Sequence, residues 1–74
     1  MKTPQYKKED LRALLIRVDQ CTHFDFILFE YLDRNEWDDI TSQQHNSEVQ
    51  NHPDISEEDK NLWRKLSLHG AEVI

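Results

Sequence analysis

The cysteine and the four histidines are the side chains of this 74-residue chain that could bind a transition metal. They are Cys21, His23, His45, His52 and His69. Structural zinc sites usually pair their ligands at tight spacings such as C-x₂₋₄-C and H-x₃₋₅-H. Here one residue separates Cys21 from His23 and six residues separate His45 from His52, so neither pair fits that pattern. We therefore expect surface histidines, a thiol in the core, and no bound metal or other cofactor.

Adjacent carboxylates at Asp38-Asp39 and at Glu57-Glu58-Asp59 could serve in acid–base catalysis if a cleft gave them different proton affinities. Acidic residues in the first turn of a helix have a simpler explanation, because they interact favourably with the helix dipole. A bundle of three short helices is also expected to leave little room for a pocket of about 300 Å³. The sequence contains neither a glycine-rich phosphate loop nor a nucleophile-elbow motif. We therefore expect that the protein is not an enzyme.

Aromatic residues crowd the stretch 24–37 and occupy two faces of the helix predicted there. One small core cannot easily cover both faces, so aromatics ringed by acids predict an interface with another protein. The predicted partner-binding residues are Phe26, Phe29, Glu30, Asp33, Trp37 and Asp38. The same surface could form a homodimer through this helix. The alternative is that residues 41–54 and the C-terminal tail fold back over Phe26 and Phe29.

Charge is distributed unevenly along the chain, whose formal net charge is −6. Residues 21–59 contain eleven acidic residues and a single cation, Arg34, whereas both flanking segments carry a small basic excess. An acidic centre repels a phosphate backbone, so direct binding of nucleic acid is disfavoured. The same centre suits a protein partner with a basic surface, although an acidic balance also serves solubility alone.

The cysteine count and the N-terminal segment indicate a cytoplasmic protein. A single cysteine cannot form an intrachain disulfide, which suits a reducing compartment. The segment at residues 1–10 is polar and lacks an apolar export core. No stretch approaches the roughly 20 apolar residues that span a membrane, so we expect no membrane partner.

Three helices are expected to position these residues within a single domain, 1–74. Apolar spacing and capping residues predict helices at about 6–20, 23–37 and 57–69, with a polar loop at 41–54 and a fraying tail. A strand is the alternative for the second segment, because aromatic residues favour strands, but its apolar residues do not alternate. The predicted core consists of Leu11, Leu14, Leu15, Val18, Phe24, Ile27, Leu28, Tyr31, Leu62, Trp63 and Leu66. The fold class is therefore all-α, a small three-helix bundle.

The stretch 15–25 resembles part of the Hha/YmoA family of small nucleoid-associated modulators, which has an L-x-R-L-x-x-C-x-x-I-D run. The matching residues are Leu15, Arg17, Cys21 and Asp25, with Val18 and Phe24 as apolar equivalents. The later stretch 33–37 is similar to the acid-base-Asn-x-aromatic stretch of the family. The S-A-A-D-H-R-x-A-E-L segment of the family has two candidates here, 42–49 and 65–74. Neither has the aspartate before the histidine that the family uses to hold its partner.

Two functions of different class follow. The acidic centre and the predicted interface favour a stoichiometric inhibitor or regulator of a basic, nucleic-acid-associated protein, of the immunity, antitoxin or phage-inhibitor type. The resemblance instead implies a modulator of transcription that acts through a DNA-binding partner of the H-NS type, without touching DNA itself. A structural part of a larger assembly is a third reading.

Overall fold

The structure, a computed structural model, describes residues 3–23 and 27–74 of the chain. The described part is predominantly helical, which confirms the all-α class, but it contains four helices instead of three. In chain order the elements are β1 (Gln5–Tyr6), α1 (Lys8–Thr22), α2 (Ile27–Asp33), α3 (Asp39–Asn51), α4 (Glu57–His69) and β2 (Glu72–Val73). No helix in these ranges combines the length and the apolar character that a membrane crossing requires.

Helix α1 begins later than predicted because the segment before it pairs with the C-terminal segment. Gln5 lies opposite Glu72 and Tyr6 lies opposite Val73 in a parallel register. The amide of Ile74 donates to the carbonyl of Tyr6 at 2.9 Å, which extends the pairing by one residue. The prediction that the tail frays is therefore wrong, because its backbone groups are hydrogen-bonded.

Helix α2 ends earlier than the predicted helix at 23–37. It ends at Asp33 because Asn35 adopts the left-handed conformation, with φ 60°, that asparagine tolerates better than most residues. The amides of Arg34 and Asn35 bond to carbonyls three residues back, which tightens the last turn. Residues 24–26, in the predicted first turn, lie outside the described residues.

The prediction of a polar loop at 41–54 is wrong, because most of that stretch belongs to α3. The buried face of α3 carries Ser42 and Val49 in place of large apolar residues, so the apolar spacing that normally predicts a helix is missing. Ser42 satisfies its buried hydroxyl by donating at 2.9 Å to a backbone carbonyl one turn earlier. At the start of α3 the Asp38 carboxylate accepts from the amide of Ile40 at 3.3 Å and caps the helix.

Helix α4 has the predicted bounds, because both of its ends carry strong local signals. The hydroxyl of Ser56 accepts a hydrogen bond from the amide of Asp59 at 3.2 Å and caps the first turn. Gly70 follows the last turn with φ 69°, a conformation that costs glycine little because it has no Cβ.

Helices α3 and α4 pack side by side in opposite directions. Near the start of α3, Gln43 Nε2 donates to the carbonyl of Ser67, late in α4, at 2.7 Å. Near the end of α3, Gln50 Nε2 donates to the carbonyl of Lys60, early in α4, also at 2.7 Å. Two side-chain amides therefore fix the antiparallel register of this pair.

The predicted core is confirmed on α1 and corrected on α2. The core consists of Leu11, Leu14, Leu15, Val18, Leu28, Leu32, Trp37, Val49, Ile55, Trp63 and Leu66. Leu28 and Leu32 lie one turn apart and define the buried side of α2, so Ile27 lies away from it and is 47% exposed. Tyr31 and Leu62 are half-buried, and Phe24 lies outside the described residues.

Two tryptophans meet in the middle of the core. The rings of Trp37 and Trp63 pack edge to face, with centroids 5.8 Å apart and an interplanar angle of 82°. Trp63 Nε1 donates to the carbonyl of Ser42 at 2.9 Å and so ties α4 to α3. Trp37 Nε1 is also buried but has no hydrogen-bond partner among the described residues.

Shortening Leu28 to alanine should open a cavity in this core. Leu28 is 1% exposed, so Leu28→Ala is expected to lower the free energy of unfolding by about 2–5 kcal/mol. Its half-exposed neighbour provides the control, since Ile27→Ala should cost less than about 1 kcal/mol. Urea denaturation followed by far-ultraviolet circular dichroism measures both losses. Equal losses in the two variants would show that the buried side of α2 is assigned incorrectly.

Replacing each tryptophan by phenylalanine should separate their two polar environments. Both changes remove similar ring volume, but Trp63→Phe also removes a buried hydrogen bond, whereas Trp37→Phe removes an N–H that has no partner in the described part of the chain. We expect Trp63→Phe to lower the free energy of unfolding by about 1–3 kcal/mol more than Trp37→Phe does. The same denaturation experiment applies, and the reverse order would contradict the hydrogen-bonding pattern.

Candidate protein-binding surface

The aromatic residues predicted to bind a partner have different environments in the structure. Trp37 is 8% exposed and belongs to the core. The chain turns after α2, and this turn is what allows Trp37 to be buried. The sequence prediction instead had a continuous helix through residue 37. Phe29 is half-buried and packs against the core. Phe26 lies outside the described residues.

The acidic residues of the same prediction are more accessible. Glu30 is exposed on α2. Asp33 is exposed and lies 3.6 Å from an Nη atom of Arg12, an ion pair between two well-solvated side chains that contributes little stability. Asp38 is half-buried and engaged at the start of α3, where it accepts hydrogen bonds from the amide of Ile40 and from the hydroxyl of Thr41. Of these three carboxylates, Glu30 is the one left without an ion pair or hydrogen bond among the described residues.

Several exposed acids have no ion-pair partner in the part of the chain that the structure describes. Among the described residues, ion pairs form between Arg12 and Asp33, Arg17 and Asp59, and Lys60 and Glu57. Four further acids between residues 30 and 54 are exposed and have no cation within 4.0 Å in that part of the chain. They are Glu30, Glu36, Glu48 and Asp54, which we call the acidic set.

An open groove separates the C-terminal half of α1 from the start of α4. Its volume is about 480 Å³, so the expectation that the bundle leaves little room for a pocket is wrong. Arg17 and Cys21 lie on the α1 side, Asp54 lies on the connection, and Glu58 and Asp59 lie on the α4 side. One cation therefore faces three carboxylates in the groove, which gives it a negative charge balance.

A two-pronged ion pair forms part of this groove. Arg17 Nε donates to Asp59 Oδ2 at 2.9 Å and Arg17 Nη2 donates to Asp59 Oδ1 at 3.0 Å. These hydrogen bonds raise the pKa of Arg17 above its ordinary value; partial burial opposes them, and the charges of Asp59 and Glu58 reinforce them. Arg17 therefore stays cationic and neutralises Asp59, whereas Asp54 and Glu58 have no ion-pair partner among the described residues.

The residues considered as metal ligands are dispersed. Cys21 is half-buried at the edge of the core, with its Sγ 3.9 Å from the carbonyl of Asp54. His52 Nδ1 accepts a hydrogen bond from the amide of Asp54 at 3.1 Å. Within residues 3–23 and 27–74, no group of three or more histidine, cysteine or acidic side chains is arranged to hold a metal ion.

The groove could not be recognised from the sequence, because its walls are 42 positions apart at Arg17 and Asp59. A positive residue late in one helix and an acid early in another are common and carry no pairing information. The usable signals were local, namely the Ser56 cap and the acids that follow it.

Comparison with known proteins found no family model, no curated protein and no solved structure that matches this chain.

Proposed function

We propose that the protein is a non-catalytic binding module that acts as a stoichiometric inhibitor or regulator of a basic, nucleic-acid-associated protein. Immunity proteins, antitoxins and phage-encoded inhibitors work in this manner. The observation that supports the proposal is the acidic set, Glu30, Glu36, Glu48 and Asp54, which is exposed and has no cation within reach in the described part of the chain.

Solvated carboxylates without partners give a protein a long-range attraction for cationic surfaces. They accelerate encounter with a basic partner and repel nucleic acid, so the partner would be drawn away from its phosphate ligand. Such steering weakens as salt screens the charges, with a screening length of about 8 Å at physiological ionic strength.

The groove offers this surface an anchoring point. A lysine or arginine side chain of the partner could enter beside Asp54 and Glu58, whose charges are not neutralised by an ion pair in the described residues. The Arg17–Asp59 pair would hold the α4 side of the groove in place against α1. Charge-assisted hydrogen bonds to these carboxylates would be stronger than hydrogen bonds between neutral groups.

The proposed surface keeps only part of the set predicted from sequence. Glu30 belongs to the acidic set, whereas Asp33 is exposed but paired with Arg12. Trp37 is left out of the proposed surface, because its ring is buried in the core. The roles predicted for Phe26, Phe29 and Asp38 stay predictions.

The alternative function is a modulator of transcription that acts through a DNA-binding partner of the H-NS type. It is favoured by the resemblance of the stretches 15–25 and 33–37 to the Hha/YmoA family. In that case the partner would be found on chromosomal DNA, whereas an inhibited toxin or phage target would lose an activity when bound one-to-one.

Neutralising the acidic set should abolish capture of the partner. The test variant combines Glu30→Gln, Glu36→Gln, Glu48→Gln and Asp54→Asn. The tagged protein is used at low salt to retain binding proteins from a lysate of the source cell, and the retained proteins are identified and weighed against it. We expect the wild type to retain one basic protein in a one-to-one ratio, to release it at high salt, and the variant to retain none of it.

A second variant with the same net charge provides the matched control. It combines Glu9→Gln, Asp10→Asn, Asp19→Asn and Glu72→Gln, and it changes the net charge of −6 by the same four units. Retention by this control, but not by the test variant, would locate binding on the acidic set. Equal loss in both variants would mean that net charge alone governs binding, and capture of no basic protein by the wild type would refute the proposal.

A further inference from the structure

Two large aliphatic side chains lie in solvent at one end of the α3–α4 pair. Ile40, in the first turn of α3, is 64% exposed, and Leu68, in the last turn of α4, is 66% exposed. Neither residue was predicted to bind anything. Exposed aliphatic residues are common one at a time, so their significance depends on whether they share a face.

The hydrogen bonds between the helices place both residues on the outer face of the pair. Gln43, which reaches across to Ser67, lies one turn after Ile40 on the same side of α3. Arg64, whose Nη2 donates to Gln50 Oε1 at 3.0 Å, lies one turn before Leu68 on the same side of α4. Since the helices are antiparallel and Gln43 lies level with Ser67, Ile40 and Leu68 lie within about one turn of each other along the pair.

The charges around these two residues differ in sign from one helix to the other. On α3, the half-buried Asp39 precedes Ile40, and a Cβ atom placed on Gly70 would lie 4.0 Å from Cβ of Asp39, so this acid adjoins the end of α4. On α4, Lys65 lies one turn before Leu68 and is exposed. The patch therefore has an apolar centre, an acidic side on α3 and a basic side on α4.

We infer that this outer face of α3 and α4 binds a second copy of the same chain. A two-fold axis through the centre would place Ile40 and Leu68 of one copy against those of the other. It would also bring Asp39 of each copy towards Lys65 of its partner, because two opposite charges flank the apolar centre. A uniformly basic partner would instead meet repulsion from Lys65, so the charge pattern favours self-association over the partner proposed above.

The expected dimer is weak. Helix α3 has 13 residues, which makes the face about 20 Å long and two helices wide. Such an area falls at the small end of specific protein interfaces. We therefore expect a dissociation constant in the micromolar range, so that the protein dimerises at concentrations reached in a sedimentation experiment.

Complementary charge reversals test the inferred pairing. In the inferred dimer, residue 39 of each copy faces residue 65 of the other copy, so there are two such contacts. Asp39→Lys alone would place lysine against lysine in both contacts. Lys65→Glu alone would place acid against acid in both. Each single variant is expected to raise the dissociation constant of its homodimer by about tenfold or more. An equimolar mixture of the two variants should dimerise again, because both cross-axis contacts then join opposite charges. Sedimentation velocity measures all four samples.

Leu68→Ser serves as the second test, because it removes apolar surface from the patch without changing a charge. It should yield a monomer with unchanged helical circular dichroism. If Asp39→Lys loses its helical signal, Leu68→Ser is the variant that tests the inferred dimer. A wild-type protein that stays monomeric into the millimolar range would overturn the inference. So would a dimer that survives Leu68→Ser, or variants that fail to pair when mixed. The acidic-set variant should still dimerise, so failure of the dimer and failure of partner binding are distinguishable.

Discussion

The burial of Trp63 between α3 and the ring of Trp37 is the interaction on which the rest of the fold depends. Helix α3 has no stripe of large apolar residues, so it cannot dock by hydrophobic burial in the way that α1 does. The indole of Trp63 supplies both the apolar surface and the hydrogen bond to the carbonyl of Ser42. A small residue at position 42 is needed because the large ring must approach the backbone of α3 closely.

This constraint explains why polar side chains fix the position of α3 against α4. With Ser42 and Val49 occupying the buried side of α3, side-chain amides fix the register against α4 from the rim of the contact. The arginines of α1 are used internally as well, one beside Asp33 and one against Asp59. Among the described residues these arginines pair with acids of the same chain, whereas the acidic set has no cation within 4.0 Å.

The parts of the fold that the sequence predicts are those whose signals are local. Helix α4 has a serine cap and a terminal glycine and has the predicted bounds, whereas α1 has apolar residues at regular spacing and lies within two residues of its predicted bounds. Helix α3 is not predicted from the sequence, because a serine on its buried side interrupts the apolar spacing that indicates a helix. The position of Trp37 depends on a turn at Asn35 and on a ring 26 positions away, and the groove depends on Arg17 meeting Asp59. Such pairings over long sequence distances are tertiary facts that single-sequence periodicity does not contain.

The two inferred surfaces would reinforce each other. The dimer face consists of Asp39, Ile40, Lys65 and Leu68, whereas the acidic set and the groove consist of other residues. Dimerisation and partner binding would therefore use different residues. A dimer would present two grooves and two acidic sets on one particle. For a partner that carries two basic patches, the second contact would then form at a high effective concentration, and binding could be tight although each single contact is weak. Because dimerisation is itself concentration-dependent, such a gain would disappear at low protein levels, which would make inhibition rise more steeply than in proportion to the amount of protein present.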